Sequence, residues 1–180
     1  MELIKRGIIM KSILMSIKPQ YVAKILNGEK TIEIRKKFPK DYVGWVYIYC
    51  TKQSDLFKSY IRLGYYTTRS TADDLEYNGK GKVVAKFQLQ RITPVSPLSA
   101  AGWTKEACVS EQEILDYING KEGYLWHIDN LEIFDEPKEL KSFLVHSHTV
   151  SGIGFKSEEK QFDILKPLNR APQSWCYVEL

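Results

Sequence analysis

Lys30, Glu33 and Arg35 bring two cations and a carboxylate together within one short stretch of the chain. An arginine offers a planar fork for a phosphate or a base edge, a lysine a mobile point charge, and a glutamate an acceptor for exocyclic amino or hydroxyl groups. Mixed charge at this spacing suits recognition. The plainer alternative is an exposed strand face with a weak ion pair. In catalysis, Lys30 would act as base or nucleophile only as a neutral amine. Glu33 beside it stabilises the charged form, so binding is favoured over nucleophilic chemistry unless Glu33 is itself the acid–base group. If the chain is an enzyme, Lys30 and Glu33 are its catalytic candidates.

Flat aromatic faces are a second ingredient, because bases stack on them at about 1–3 kcal/mol each. Most of the aromatic residues read as core. Trp126-His127 and Ser174-Trp175 are the expected exceptions, each placing a polar group beside a large ring. His146 and His148 form an H-x-H pair with no third ligand in view, so no metal is assigned. No dinucleotide or P-loop fingerprint occurs, nor a Gly-x-Ser-x-Gly elbow, and no cofactor is expected.

The elements that must position these residues are legible from periodicity. Residues 12–17 read as a strand. Pro19 opens a helix with apolar Tyr21, Val22, Ile25 and Leu26, stopped by Asn27-Gly28. From Thr31 the period becomes two: Ile32 and Ile34 should face a core, while Thr31, Glu33 and Arg35 share the opposite face and Lys30 sits at its lip. Residues 45–50 and 82–92 read as strands, the latter with Val83, Ala85, Phe87 and Leu89 on one side. Leu56 to Leu63 could be helical. Ser110 and Glu113 form a capping box before a helix that ends at Asn119-Gly120. Strand character returns at 124–128, 131–134 and 174–180. About six or seven strands with two or three short helices point to an α+β, β-rich barrel.

At 180 residues the chain fits one domain, residues 1–180, with 1–9 as an N-terminal extension. The net charge of +4 is unevenly placed: the first forty residues hold ten Lys/Arg against three Asp/Glu. Such asymmetry favours a polyanionic partner. Three scattered cysteines, Cys50, Cys108 and Cys176, match no zinc spacing and read as reduced thiols of a cytoplasmic protein. The apolar stretch at 7–17 is broken by Lys11 and Ser12 and falls short of the ~20 residues of a membrane span, so no membrane partner is expected.

Ser16-Ile17-Lys18-Pro19, Tyr21, Ile25-Leu26-Asn27-Gly28-Glu29-Lys30-Thr31 and Glu33-Ile34-Arg35 together resemble the ASCH family, named for homology to activating signal cointegrator-1. The resemblance continues through 46–49, 81–85, 126–128 and 172–178, as in longer prokaryotic and phage-type members. It implies a PUA-like mixed β-barrel with short flanking helices, and a cleft lined by Lys18, Lys30, Glu33 and Arg35 that binds RNA or a modified nucleotide. Some small ASCH proteins look like amidohydrolases of acetylated cytidine that use a lysine, a threonine and a glutamate, and others are ribonucleases. Lys30 matches that lysine. Glu33 stands where the threonine is expected, and Glu106 and Glu111 are candidates for the third group. The departure moves the reading from hydrolysis toward recognition, with Lys18, Lys30 and Arg35 on phosphate or base, Glu33 reading a donor, and Trp126 or Trp175 stacking.

Overall fold

The computed structural model describes residues 11–40, 42–52, 60–62, 65–67, 79–150 and 161–180. Residues 1–9, with the expected extension, lie outside these, as do positions 56–59 and 63 of the expected helix.

Strand β1 (Ser12–Ile17) is buried along its whole length, Ser12 and Ser16 included, as a strand is when both its faces are covered. Helix α1 (Pro19–Leu26) follows, with Pro19 in its first turn and Asn27 closing it. Gly28 takes φ +75°, a left-handed backbone that a side chain would strain. The Glu29 and Lys30 N–H groups donate back to the Lys24 carbonyl, so the chain reverses tightly and delivers Lys30 to the start of β2 (Ile32–Arg35). Strand β3 (Gly44–Cys50) comes next, then β4 (Tyr60–Arg62) and β5 (Tyr65–Thr67), an antiparallel pair. Positions 60–62 are therefore strand, not the helix expected there. Short-range apolar spacing does not separate the two when a partner strand is available.

The remaining elements are β6 (Val83–Leu89), β7 (Ile92–Val95), a 3-10 segment at Pro97–Trp103, α2 (Thr104–Ala107), α3 (Glu111–Ile118), β8 (Gly123–His127), β9 (Asp129–Lys138), a 3-10 turn at Leu140–Ser142, β10 (Leu144–Val150), β11 (Gln161–Pro167) and β12 (Trp175–Val178). The long strand expected at 82–92 is thus two strands. An irregularity between Val83 and Ala85 shifts the register, so Val83 packs on one face of its sheet while Ala85, Phe87 and Leu89 pack on the other.

Five strands form one sheet in the order β12-β1-β3-β6-β9, with β1 and β3 parallel and the other neighbours antiparallel. A three-stranded antiparallel sheet runs β2-β8-β7, and β10 pairs with β11. The architecture is mixed α+β. Among the described residues the ladders are separate and do not close into one continuous barrel. One core lies between α1 and the large sheet and includes Trp126 from β8. A second lies between the small sheet and α2–α3, with Ile32, Ile34, Leu125, Ile114 and Ile118. No helix among the described residues is long and apolar enough to cross a membrane.

Candidate functional site

Alternation along β2 buries Ile32 and Ile34 in the second core, leaving Glu33 and Arg35 on the other face, toward the end of β1. There a cleft of about 730 Å³ opens, floored by Lys30, Glu33 and Arg35 and bordered by α1, α3 and the loop that precedes β12. Both polar groups of β2 are nonetheless buried: Glu33 is 9% and Arg35 7% exposed. Burial of three charges demands mutual compensation, and the geometry supplies it. Glu33 Oε2 lies 3.3 Å from Lys30 Nζ and Glu33 Oε1 2.9 Å from Arg35 Nη2, so one carboxylate bridges two cations.

Backbone carbonyls complete the floor. Lys30 Nζ donates to the Ala107 carbonyl at 2.6 Å, anchoring β2 to α2. Arg35 Nη2 donates to the Ser16 carbonyl at 2.8 Å and Nη1 to Ser174 Oγ at 3.2 Å. The Ser16 hydroxyl donates to the Pro172 carbonyl at 2.7 Å, tying the loop to β1. Two buried polar atoms of cleft-lining residues have no partner among the described residues: Arg35 Nε and Thr51 Oγ1. Orphaned donors in a cleft mark places where a ligand or water completes the network.

The walls are aromatic and acidic. Tyr21 of α1 and Tyr117 of α3 line the cleft, with Tyr49 of β3. Tyr21 donates its hydroxyl to Glu113 Oε1 at 3.5 Å, and the Tyr21 ring lies 5.3 Å from Lys30 Nζ. Burial raises the pKa of both wall tyrosines above the ordinary phenol value. Glu113 adds to the shift at Tyr21, whereas Arg35 opposes it at Tyr117. Both phenols are therefore neutral hydrogen-bond donors near neutral pH. Glu113 is held in place by the capping box: the Ser110 N–H and hydroxyl both donate to Glu113 Oε2 at 2.8 Å. These bonds, the backbone one first, lower the Glu113 carboxyl below its ordinary value.

No family model matches the sequence, and no curated protein matches it either. Solved structures do. A crystal structure of a point variant of an ASCH protein from Zymomonas mobilis superposes with a TM-score of 0.50 at 19% identity, over 73% of this chain and 77% of that one. The fold is ASCH-like. The Zymomonas mobilis ASCH protein itself aligns at TM-score 0.49 and 20% identity, over 72% of this chain and 73% of that one. A second variant aligns at 0.43 and 21%, over 70% of each.

Within this ASCH-like fold, Lys18, Lys30, Glu33, Arg35 and Ser174 converge on the cleft. Lys30 is not at the lip as expected but 3% exposed, because the reversal at Gly28 turns it inward onto Ala107. Thr31 is exposed and outside the cleft; its N–H donates to the Glu106 carbonyl and its carbonyl accepts from Ile128. Trp126, directly across from Glu33 in the β2–β8 ladder, is fully buried, so no base can stack on it. Trp175 packs against Trp126, ring centroids 5.6 Å apart, on the first core.

His127 belongs to the other face of β8. Arg91 Nη2 lies 2.9 Å from its Nδ1 and Thr93 Oγ1 2.9 Å from its Nε2. A guanidinium can only donate, so Nδ1 accepts and the ring is neutral with its proton on Nε2. Burial first, then Arg91, holds the His127 pKa below its usual value against the opposing pull of Asp129.

Neither Glu106 nor Glu111 lines the cleft. Besides Glu33, the acids that do are Glu113 and Asp116 of α3. Glu113 is legible in the sequence only as a cap, and its second role depends on where α3 packs. Tyr21 and Tyr117 carry a usable signal, since each sits at the border of its helix's apolar stripe. The charge of the cleft is mixed: among its described lining residues the cations Lys18, Lys30, Arg35 and Lys52 face the carboxylates Glu33, Glu113 and Asp116. The His146 ring lies 2.6 Å from Glu179 Oε1, the side chain of His148 lies outside the described residues, and no cluster that could hold a metal occurs among those described.

Proposed function

We propose that this ASCH-like domain, spanning residues 1–180, binds a nucleotide-like ligand or single-stranded RNA in the cleft over Lys30, Glu33 and Arg35. One observation carries the reading: a guanidinium 7% exposed, fixed by three partners, leaves its Nε unpaired in a tyrosine-walled cleft. A base edge presents the acceptor that Arg35 Nε lacks, and its flat face suits Tyr21 or Tyr117. Tyr21 and Tyr117 take the stacking role expected of Trp126 and Trp175, neither of which lines the cleft. Mixed charge favours discrimination of a nucleoside over tracking of a phosphate backbone. A PUA-like barrel opened between the large and small sheets belongs to the same proposal, supported by Trp126 of the small sheet lying in the core of the large one. So does a cytoplasmic location, in keeping with three free thiols.

A hydrolase is the second reading, favoured by the amine–carboxylate contact of Lys30 and Glu33 at 3.3 Å. The Ala107 carbonyl that holds the Lys30 ammonium weighs against it.

Titration with ribonucleosides, acetylated cytidine and short single-stranded RNA tests the proposal. Tyr21→Ala should weaken binding by about 5- to 150-fold, the equivalent of one base stack. No binding by any of these probes, or unchanged affinity in the variant, overturns it. Release of cytidine from acetylated cytidine, or cleavage of RNA, abolished by Lys30→Ala would establish the hydrolase instead.

A further inference from the structure

A second cavity of about 460 Å³ lies beside the cleft and shares Tyr49, Lys52 and Ala171 with it. The loop between β11 and β12 borders both: Leu168 to Arg170 line the second cavity, Pro172 to Ser174 the first, and Ala171 the junction. The two spaces differ in charge. Whereas the first sets four cations against three carboxylates, the second holds Lys52, Lys141 and Arg170 against Glu139 alone among its described lining residues. That carboxylate is itself engaged, 3.1 Å from Lys82 Nζ. The three cations are exposed and have no ion-pair partner among the described residues.

Lys52 stands where the two cavities meet, and Gly81 shapes its path. Gly81 has φ +73°, and a Cβ built on it would come within 2.5 Å of Lys52 Cε and 2.9 Å of its Cγ. The bare glycine is what admits the lysine stem along this edge. Arg170 adds a fork suited to paired phosphate oxygens, and Lys141 a point charge from the 3-10 turn at Leu140–Ser142.

A mixed-charge, tyrosine-walled cleft continuous with a more strongly cationic one matches a ligand that is nucleoside-like at one end and anionic at the other. We propose that the second cavity is a phosphate subsite: Lys52, Lys141 and Arg170 hold the phosphate of a nucleotide whose base occupies the first cleft. The inference rests on the function proposed above and narrows it to phosphorylated ligands, either a mononucleotide or the backbone of a single-stranded RNA.

The test compares a panel of ribonucleosides, their 5′- and 3′-monophosphates and a trinucleotide against the parent chain and a Lys141→Ala/Arg170→Ala double variant. Both residues are exposed and outside the first cleft. In the parent, phosphorylated probes should bind about tenfold tighter than nucleosides or better, from charge-assisted hydrogen bonds. The double variant should lose that gain and keep its nucleoside affinity. For the trinucleotide, its log–log salt slope should be shallower by about 1.4, two contacts at about 0.7 each. A gain from the monophosphates assigns a single nucleotide, and a gain from the trinucleotide alone assigns an RNA strand.

No gain from phosphate in the parent, or an equal gain in the variant, overturns the subsite and leaves the nucleoside reading standing. Phosphate-dependent binding that needs Lys141 and Arg170 but is indifferent to Tyr21→Ala supports the subsite and removes the base from the first cleft. Capture of a polyglutamate peptide through the same two cations, without a phosphate gain, would assign the cavity to an acidic protein and overturn the proposal.

Discussion

Glu33→Gln should destabilise the protein more than the loss of any other charge in the cleft. Glu33 bridges two cations whose side chains are 3% and 8% exposed, and its own is 11% exposed. Glutamine keeps the shape and one acceptor but removes the compensating charge from both Lys30 and Arg35. Removing one partner of a buried pair costs about 3–5 kcal/mol, because the remaining charge is left uncompensated. The cleft admits water, which places the cost near 3 kcal/mol. For a chain of this size that corresponds to a fall in Tm of roughly 6–12 °C, at about 2–4 °C per kcal/mol.

Lys30→Met should cost less, since Glu33 keeps Arg35. The double variant Lys30→Met/Glu33→Gln should recover part of the loss, with a coupling of about 1 kcal/mol or more. Urea unfolding of the parent, both single variants and the double, followed by tryptophan fluorescence and circular dichroism, measures the cycle. A Glu33→Gln cost below about 0.5 kcal/mol, or strictly additive effects, would refute the picture of one carboxylate neutralising two buried cations.

His127 gives a pH signature. Its folded pKa lies below the ordinary 6.5, so the unfolded chain binds more protons in acid, and the stability that His127 contributes is lost as pH falls through that value. Urea midpoints between pH 7.5 and 5 should decline less steeply in His127→Gln than in the parent, and parallel profiles would contradict the buried neutral imidazole. Ser110→Ala removes the hydroxyl that accepts the Glu113 N–H and holds its carboxylate. It should cost about 1 kcal/mol of stability and also weaken ligand binding, because α3 carries Glu113 and Tyr117 into the cleft. Calorimetry and nucleoside titration of the same variant check both effects, and loss of stability with unchanged affinity would detach α3 from the site.

The local signals in the chain proved sufficient for the parts of the fold that local physics governs. Pro19 and Gly28 bracket α1 because one lacks a donor and the other tolerates a left-handed backbone. Ser110 and Glu113 start α3 because two orphan N–H groups need acceptors. Period-two alternation put Ile32 and Ile34 on one face of β2 and Glu33 and Arg35 on the other. The helix expected across 60–62 and the unbroken strand across 82–92 failed for one reason: a strand is decided by its partner, and the partners of β4, β6 and β7 are not contained in their own spacing.

The same division applies to the site. Residue type and order alone determined that Lys30, Glu33 and Arg35 would travel together on one turn and strand; resemblance added Lys18, and Ser174 stood out only as a polar neighbour of Trp175. Only the tertiary structure decided that Glu33 would lie between two buried cations, that Trp126 would be sealed in the core directly across the ladder from it, and that α3 would bring Glu113, Asp116 and Tyr117 to the opposite wall. Burial, charge compensation and the joining of a cationic cavity to one of mixed charge depend on what packs against a residue from distant parts of the chain. The N-terminal excess of lysine and arginine therefore says little about the charge of the cleft, because the carboxylates that balance it arrive from α3.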